Sequence, residues 1–204
     1  MRKETPTRKK QKNRVGDEKM QSRAGEMIRG FVPDDPEMTM ESVKSETLDD
    51  RISNLISEIQ DGKRDVRIRR LAADILREYS VPARDWKAET TAVFHWVRQN
   101  IRYTRDPTGV ELFQKPRRTV ELGIADCDDL SILICSLLGS IGHVLHVRTI
   151  GITERGQAEH IYPLDLLPPN NPTEYIALDA SRPEPMGWEV PEEQIKFKQD
   201  YLVD

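Results

Sequence analysis

The chain has 204 residues, which suits one domain of ordinary size with some tail left over. Hydrophobic residues make up 37% of it and charged residues 32%, a balance that predicts a disordered part beside a normal core. The longest apolar stretch, residues 130–141, is interrupted by serines and a glycine and is too short to span a bilayer, which argues against a membrane protein.

The chain begins with a basic segment, which we predict to be part of a mostly disordered arm covering residues 1–45. Residues 1–14 hold seven Lys/Arg and one Glu, a balance of +6, so the total of −4 leaves −10 for residues 15–204. Such a cluster of cations can bind nucleic acid or a protein weakly, in a salt-dependent way. No aromatic residue interleaves the charges, so a solvated end is the favoured interpretation.

The folded domain is predicted to cover residues 46–204 and to open with helices. Apolar residues recur at helical spacing in 46–60 and again in 65–79, with Gly62 as a stop signal between them. A third helix is predicted from residue 83 to about residue 100. Residues 104–123 contain two prolines and two glycines and are predicted to form a long loop.

The second half of the chain changes character after one more helix. Residues 127–140 predict a largely apolar helix that ends near two glycines. Three short β-branched or alternating segments follow, at 144–151, 158–167 and 174–181, separated by turn residues. Helices first and antiparallel strands second predict an α+β fold.

Cys127 lies at the start of the apolar helix, among three aspartates. Asp126 suits the N-cap position and Asp129 can support the first turn. The helix start lowers the pKa of a thiol at this position, whereas the neighbouring carboxylates raise it. Because these effects oppose each other, Cys127 needs a cationic partner, most naturally an imidazolium, to become a strong nucleophile.

Two downstream residues complete a set that resembles a catalytic triad. His160 lies in the second strand segment, and Asp179 lies at the end of the third, otherwise apolar, segment, where a carboxylate needs a partner. A Cys, a His and an Asp on a helix start and two successive strands can serve as nucleophile, base and orienting group.

These segments closely resemble the core of transglutaminase-like proteins, which share the papain-like cysteine-protease fold. The likeness rests on ADCDDLSILICSLLGSIG (125–142), on IRYTRDPTGVELFQKPRRTVELG just upstream, on HIY (160–162) and on DAS (179–181). It covers about residues 85–190 and is greatest for versions carried by bacteriophages and prophages. Ala125 replaces a usual glycine, and Pro163 interrupts a strand that family members often continue.

The resemblance implies a fold, a reaction and a set of roles. N-terminal helices and a central Cys-bearing helix would pack on a small antiparallel sheet. Cys127, His160 and Asp179 would form the triad of a cysteine-dependent acyl-transfer enzyme that hydrolyses peptide or glutamine-type amides through a thioester, without metal or cofactor. The protein would act on a protein or peptide in the cytoplasm, that of the host if it is phage-encoded. The alternative is a non-catalytic structural or interaction protein of a phage virion or its assembly.

The remaining candidates receive structural interpretations. Cys135 is predicted to pack in the core, and at 1.5 Å per residue it would lie roughly 12 Å from Cys127 on one helix, too far for a disulfide. His143 and His146 are predicted to lie in a strand, at the surface or partly packed. Free cysteines and the lack of an oxidised scaffold favour a reducing compartment.

Overall fold

The computed structural model of the protein describes residues 40–42, 47–105, 112–153 and 157–203. Residues 1–39 and 43–45 of the predicted arm, with their basic segment, lie outside the described residues. Within those ranges the chain is α+β, as predicted, with five α-helices and eight strands. In chain order these are β1 (Met40–Ser42), α1 (Leu48–Arg64), α2 (Val66–Glu78), α3 (Trp86–Asn100), β2 (Arg102–Tyr103), β3 (Leu112–Gln114), α4 (Pro116–Leu122), β4 (Ile124–Ala125), α5 (Cys127–Ser140), β5 (Val144–Gly151), β6 (His160–Leu167), β7 (Glu174–Ala177) and β8 (Phe197–Val203).

Four of the strands form an antiparallel sheet with the order β7-β6-β5-β8. Its register places Ile150 opposite His160 and Leu164 opposite Ala177. The other strands form two short pairs, β1 with β3 antiparallel and β2 with β4 parallel. In the described part of the chain, no helix is both long and apolar enough to cross a membrane.

The Cys-bearing helix α5 is the centre of the domain. It contacts α1, α2, α3, α4 and strand β6, and every side chain from Asp128 to Leu138 is buried. A helix that is covered on all sides must be apolar on all sides, which explains why its sequence is an almost unbroken apolar run. Cys127, at its first position, therefore stands on the most constrained element of the fold.

Gly62 is where the sequence predicts the first helix to end, but α1 continues to Arg64. Gly62 is buried within the helix, and a Cβ atom there would overlap the Ser136 side chain of α5. The glycine is thus a close-contact position that lets α1 approach α5.

The predicted loop at 104–123 contains a helix, α4, which the sequence interpretation missed. Pro116 occupies its first position, and Gly123 forms its C-cap in the left-handed conformation, with φ of 65°. The Gly123 N–H donates to Thr119 O at 2.9 Å. Proline just inside a helix start and glycine just past its end are regular helix boundaries, so two residues taken as loop signals in fact delimit a helix.

The prediction for His143 is wrong, because this histidine precedes β5 and is buried between two acidic groups. Its Nδ1 lies 2.9 Å from Asp165 Oδ2, and its Nε2 lies 3.1 Å from Glu89 Oε2. Thr90 Oγ1 donates to Asp165, and the ring meets Trp86 edge to face with centroids 5.3 Å apart. The cluster joins α3 to the sheet.

His143 makes stability depend on pH. Burial by itself lowers the pKa of His143, but hydrogen bonds and charges from Asp165 and Glu89 outweigh it and hold that pKa above its ordinary value. The folded state therefore binds the proton more tightly than the unfolded chain, whose histidine pKa is about 6.5. His143 therefore contributes its full share to the free energy of unfolding below the pKa of the unfolded chain. That contribution is lost as pH rises through the higher pKa of His143 in the folded protein.

We expect the melting temperature, followed by circular dichroism, to fall across this pH window. In the His143→Gln variant, the fall in melting temperature with rising pH that is due to His143 should be absent. The matched change His95→Gln, at an exposed histidine of α3, should leave it intact. A wild-type slope that His143→Gln does not alter would contradict the assignment.

Candidate active site

Cys127 is the first residue of α5, at the position the sequence predicts. Asp126 caps the helix, because its Oδ1 accepts from the Asp129 N–H at 3.0 Å and its backbone oxygen accepts from the Leu130 N–H at 3.1 Å. Helix geometry leaves the N–H groups of the first turn without intrahelical acceptors. The thiol is thus placed beside backbone donors at the positive end of the helix dipole.

His160 and Asp179 form a hydrogen-bonded pair next to this helix start. His160 is the first residue of β6, and Asp179 lies two residues beyond β7, its antiparallel neighbour. His160 Nε2 lies 2.7 Å from Asp179 Oδ2. Asp179 Oδ1 accepts from Ser181 Oγ at 2.6 Å and from the Ser181 N–H at 3.2 Å.

These contacts determine the charge of Asp179 and the tautomer of His160. Burial acts to raise the pKa of Asp179, but the hydrogen bonds and charge of His160 and the two donors of Ser181 outweigh it, so the pKa lies below its usual value. An ionised Asp179 requires Nε2 to carry the proton. In the neutral imidazole, Nδ1 is then the basic nitrogen, free of a proton and able to accept one.

A cleft of about 650 Å³ lies between the predicted nucleophile and the predicted base. Cys127, His160 and Ser181 all line it, with Tyr103 and Ile152 on its walls. Cys127 and His160 also line a smaller cavity of about 50 Å³, to which α1 contributes Leu48, Arg51 and Ile52. The structure therefore places the predicted nucleophile and base in one cleft, and the third predicted residue is bonded to the base.

The surroundings of Cys127 keep its thiol protonated in the resting protein. Burial raises the pKa of Cys127 well above its ordinary value, and the charges of Asp128 and Asp126 raise it further. The Ile161 N–H and the charge of Arg51 act in the opposite direction but do not outweigh them. The thiol lies 3.8 Å from Asp128 Oδ1, to which it can donate.

Asp128 and Asp129 have partners that the sequence analysis did not predict; it expected only that Asp129 would support the first turn of the helix. Asp128 forms an ion pair with Arg51 of α1. Asp129 is fully buried and accepts from the backbone N–H and the side-chain Nε2 of Gln114, both at 2.7 Å. The two carboxylates thus hold α5 to α1 and β3, and no local pattern around Arg51 or Gln114 signals these partners.

Replacing Asp128 with Asn is expected to make Cys127 more reactive at neutral pH. The change removes a charge that raises the thiol pKa and breaks the ion pair between Asp128 and Arg51, whose positive charge lowers that pKa. We expect Cys127 alkylation at pH 7.5, followed by peptide mass spectrometry, to accelerate severalfold. Asp74→Asn, which breaks the 2.8 Å ion pair with Arg77 on α2, is the matched control. An unchanged pH–rate profile in Asp128→Asn would refute this account of the thiol.

Asp126, Cys127 and Asp128 have ligand atoms within 4.8 Å of one another, so their geometry could accommodate a metal ion. Their other contacts make them a poor fit. Asp128 is paired with Arg51, and an Oδ atom of Asp126 caps the helix. A cation here would compete with a guanidinium and with a backbone N–H. The donor set fits a nucleophile at a helix start better than a metal centre.

No protein-family model matches the chain, and no curated protein matches it. The functional argument therefore depends on the geometry of the cleft and on the motifs that surround it.

Proposed function

We propose that the protein is a transglutaminase-like, cysteine-dependent acyl-transfer enzyme that hydrolyses peptide or glutamine-type amides. The observation that carries the proposal is the 2.7 Å hydrogen bond from His160 to Asp179, made by a histidine that lines the same cleft as Cys127. A histidine held by a carboxylate beside a thiol is the arrangement that activates a cysteine nucleophile.

In the first half of the reaction, Cys127 Sγ attacks the carbonyl carbon of the amide. Because the resting thiol is protonated, its proton must pass to His160 Nδ1 as the S–C bond forms. Asp179 stabilises the resulting imidazolium. The tetrahedral intermediate collapses when His160 returns the proton to the nitrogen, the C–N bond breaks and the amine leaves. A thioester on Cys127 remains.

In the second half, His160 Nδ1 takes a proton from water, whose oxygen attacks the thioester carbonyl. The C–S bond breaks, the carboxylic acid leaves and the sulfur regains its proton from His160. An amine in place of water would give cross-linking by the same steps. The Cys127 N–H is the proposed first oxyanion donor. A second is expected from residues 104–123, of which 106–111 lie outside the described residues.

The proposal is tested with a library of short peptides that contain glutamine, by measuring ammonia release and peptide cleavage. Wild-type protein is expected to turn over some members, and Cys127→Ala to turn over none. Cys135→Ala is the matched control, because Cys135 lies on the same helix but is wholly buried. A thioester adduct trapped at Cys127 would identify the nucleophile. Activity that survives Cys127→Ala would defeat the proposal.

A second candidate, a non-catalytic structural or interaction module of a virion or its assembly, is favoured by the raised pKa of Cys127. The two candidates differ in whether Cys127 depends on His160. If His160→Ala slows Cys127 alkylation at neutral pH, the pair is chemically coupled, which favours the enzyme. Alkylation that is indifferent to His160, together with no turnover, favours the module.

We also propose that the protein works in a reducing compartment such as the cytoplasm. Cys127 and Cys135 are both free thiols, and the proposed chemistry requires Cys127 to remain reduced. A protein or peptide is the proposed substrate.

A further inference from the structure

The cleft around Cys127 is lined by two arginines and two carboxylates, in addition to its apolar walls. Arg105 follows β2, and Arg182 follows Asp179 by three residues. The carboxylates belong to Asp126 and Glu159. Whether the cleft attracts anions or cations depends on which of these charged groups already form hydrogen bonds or ion pairs within the protein.

Both carboxylates are engaged by donors of the protein itself. Asp126 caps α5 through its Oδ1. Glu159 Oε2 accepts from the N–H groups of Ile152 and Thr153 at 3.0 and 3.2 Å, and its Oε1 accepts from Thr153 Oγ1. These groups therefore stabilise the helix start and the end of β5, and their capacity to bind a cation is reduced.

The arginines are placed differently. Arg182 Nε lies 3.3 Å from Asp179 Oδ2, and its guanidinium carbon lies over the Trp188 ring, 5.6 Å from the ring centroid. Among the described residues, its two terminal nitrogens have no hydrogen-bond partner, and its side chain is 35% exposed. Arg105 is exposed and forms no ion pair with any residue that the structure describes.

We propose that Arg105 and Arg182 form a carboxylate-binding subsite, so that the substrate carries an acidic group close to the amide that Cys127 attacks. The planar fork of N–H donors on a guanidinium matches the two oxygens of a carboxylate. The inference rests on the proposed function for the reaction at Cys127. The carboxylate belongs either to an Asp or Glu side chain or to the free C-terminus of a peptide.

The test is a binding measurement on the full chain carrying Cys127→Ala, which separates recognition from catalysis. Fluorescently labelled glutamine peptides are made with Asp or its isostere Asn at each flanking position, and with a free or an amidated C-terminus. Some acidic members are expected to bind about three- to tenfold more tightly than their amide counterparts at low salt, by anisotropy. The advantage should shrink as salt is added.

Arg105→Gln and Arg182→Gln, made in the same background, should each reduce the advantage. Arg70→Gln removes the same charge at an exposed position of α2 and should preserve it. An advantage linked to Asp identifies a side-chain carboxylate, and one linked to the free C-terminus identifies a chain end. Equal binding of acidic and amide peptides overturns the subsite.

Turnover of the same peptides by the wild-type protein is a separate readout. Charge-dependent binding without turnover would support the carboxylate subsite and rule out the proposed enzyme activity. Turnover without any charge preference in binding would support the proposed enzyme activity and rule out the carboxylate subsite.

Discussion

Replacing Asp179 with Asn is expected to lower kcat for amide hydrolysis by about 10³- to 10⁴-fold, as loss of the orienting carboxylate does in serine-protease triads. The Asp179 carboxylate accepts the Nε2 proton of His160 at 2.7 Å. An amide at this position can present its NH₂ group to Nε2 and so favour the tautomer with the proton on Nδ1. His160 would then have no lone pair facing the thiol, and the imidazolium would lose its counter-charge.

The measurement is steady-state kinetics on a peptide that the wild-type protein hydrolyses. Ser181→Ala is the graded comparison, because it removes one of the two Ser181 donors to Asp179 Oδ1 but leaves the carboxylate and its bond to His160. We expect a much smaller loss of kcat for Ser181→Ala than for Asp179→Asn. Circular dichroism should show that both variants are folded. Wild-type kcat in Asp179→Asn would exclude Asp179 from the mechanism.

Replacing Asp165 with Ala is expected to lower the free energy of unfolding by about 3–5 kcal/mol. Asp165 is fully buried in β6, where it accepts from Thr90 and pairs with His143. Without it, Glu89 is the one acidic residue in the described part of the chain that lies within hydrogen-bonding distance of His143. The variant therefore leaves a buried imidazole and a buried hydroxyl poorly compensated, and it also creates a cavity.

Urea unfolding followed by fluorescence would measure the loss. Asp74→Ala is the matched control, since it removes a carboxylate from the more exposed ion pair with Arg77 and should cost no more than about 1 kcal/mol. If Asp165→Ala and Asp74→Ala lowered the free energy of unfolding equally, the His143 cluster would contribute no more to stability than an exposed ion pair.

The fold class and most elements could be predicted from the sequence, because the signals are local. Apolar spacing locates the segments that become α1, α2 and α3, a largely apolar run locates α5, and alternation with β-branched residues locates β5, β6 and β7. Strand β8 was missed. Its FKQDYLV segment carries charged and polar residues on an exposed sheet edge, and only pairing with β5 makes it a strand.

The candidate site was likewise proposed from local motifs, whose order along the chain is Cys127, His160 and Asp179. Whether these residues meet depends on how β6 and β7 pair and on where α5 begins. The structure gives the bond from His160 to Asp179 and the common cleft. The activity itself stays a prediction.

The sequence by itself determined the α+β class, the helix that bears Cys127 and the residues that can perform thiol chemistry, since periodicity and capping are set within a few neighbouring residues. Only the tertiary structure decided the partners of the charged groups. Arg51 meets Asp128 across 77 positions, and His143 meets Glu89 across 54. Such pairs form because a buried charge must find a counter-charge, and which one it finds depends on the packing of the whole domain.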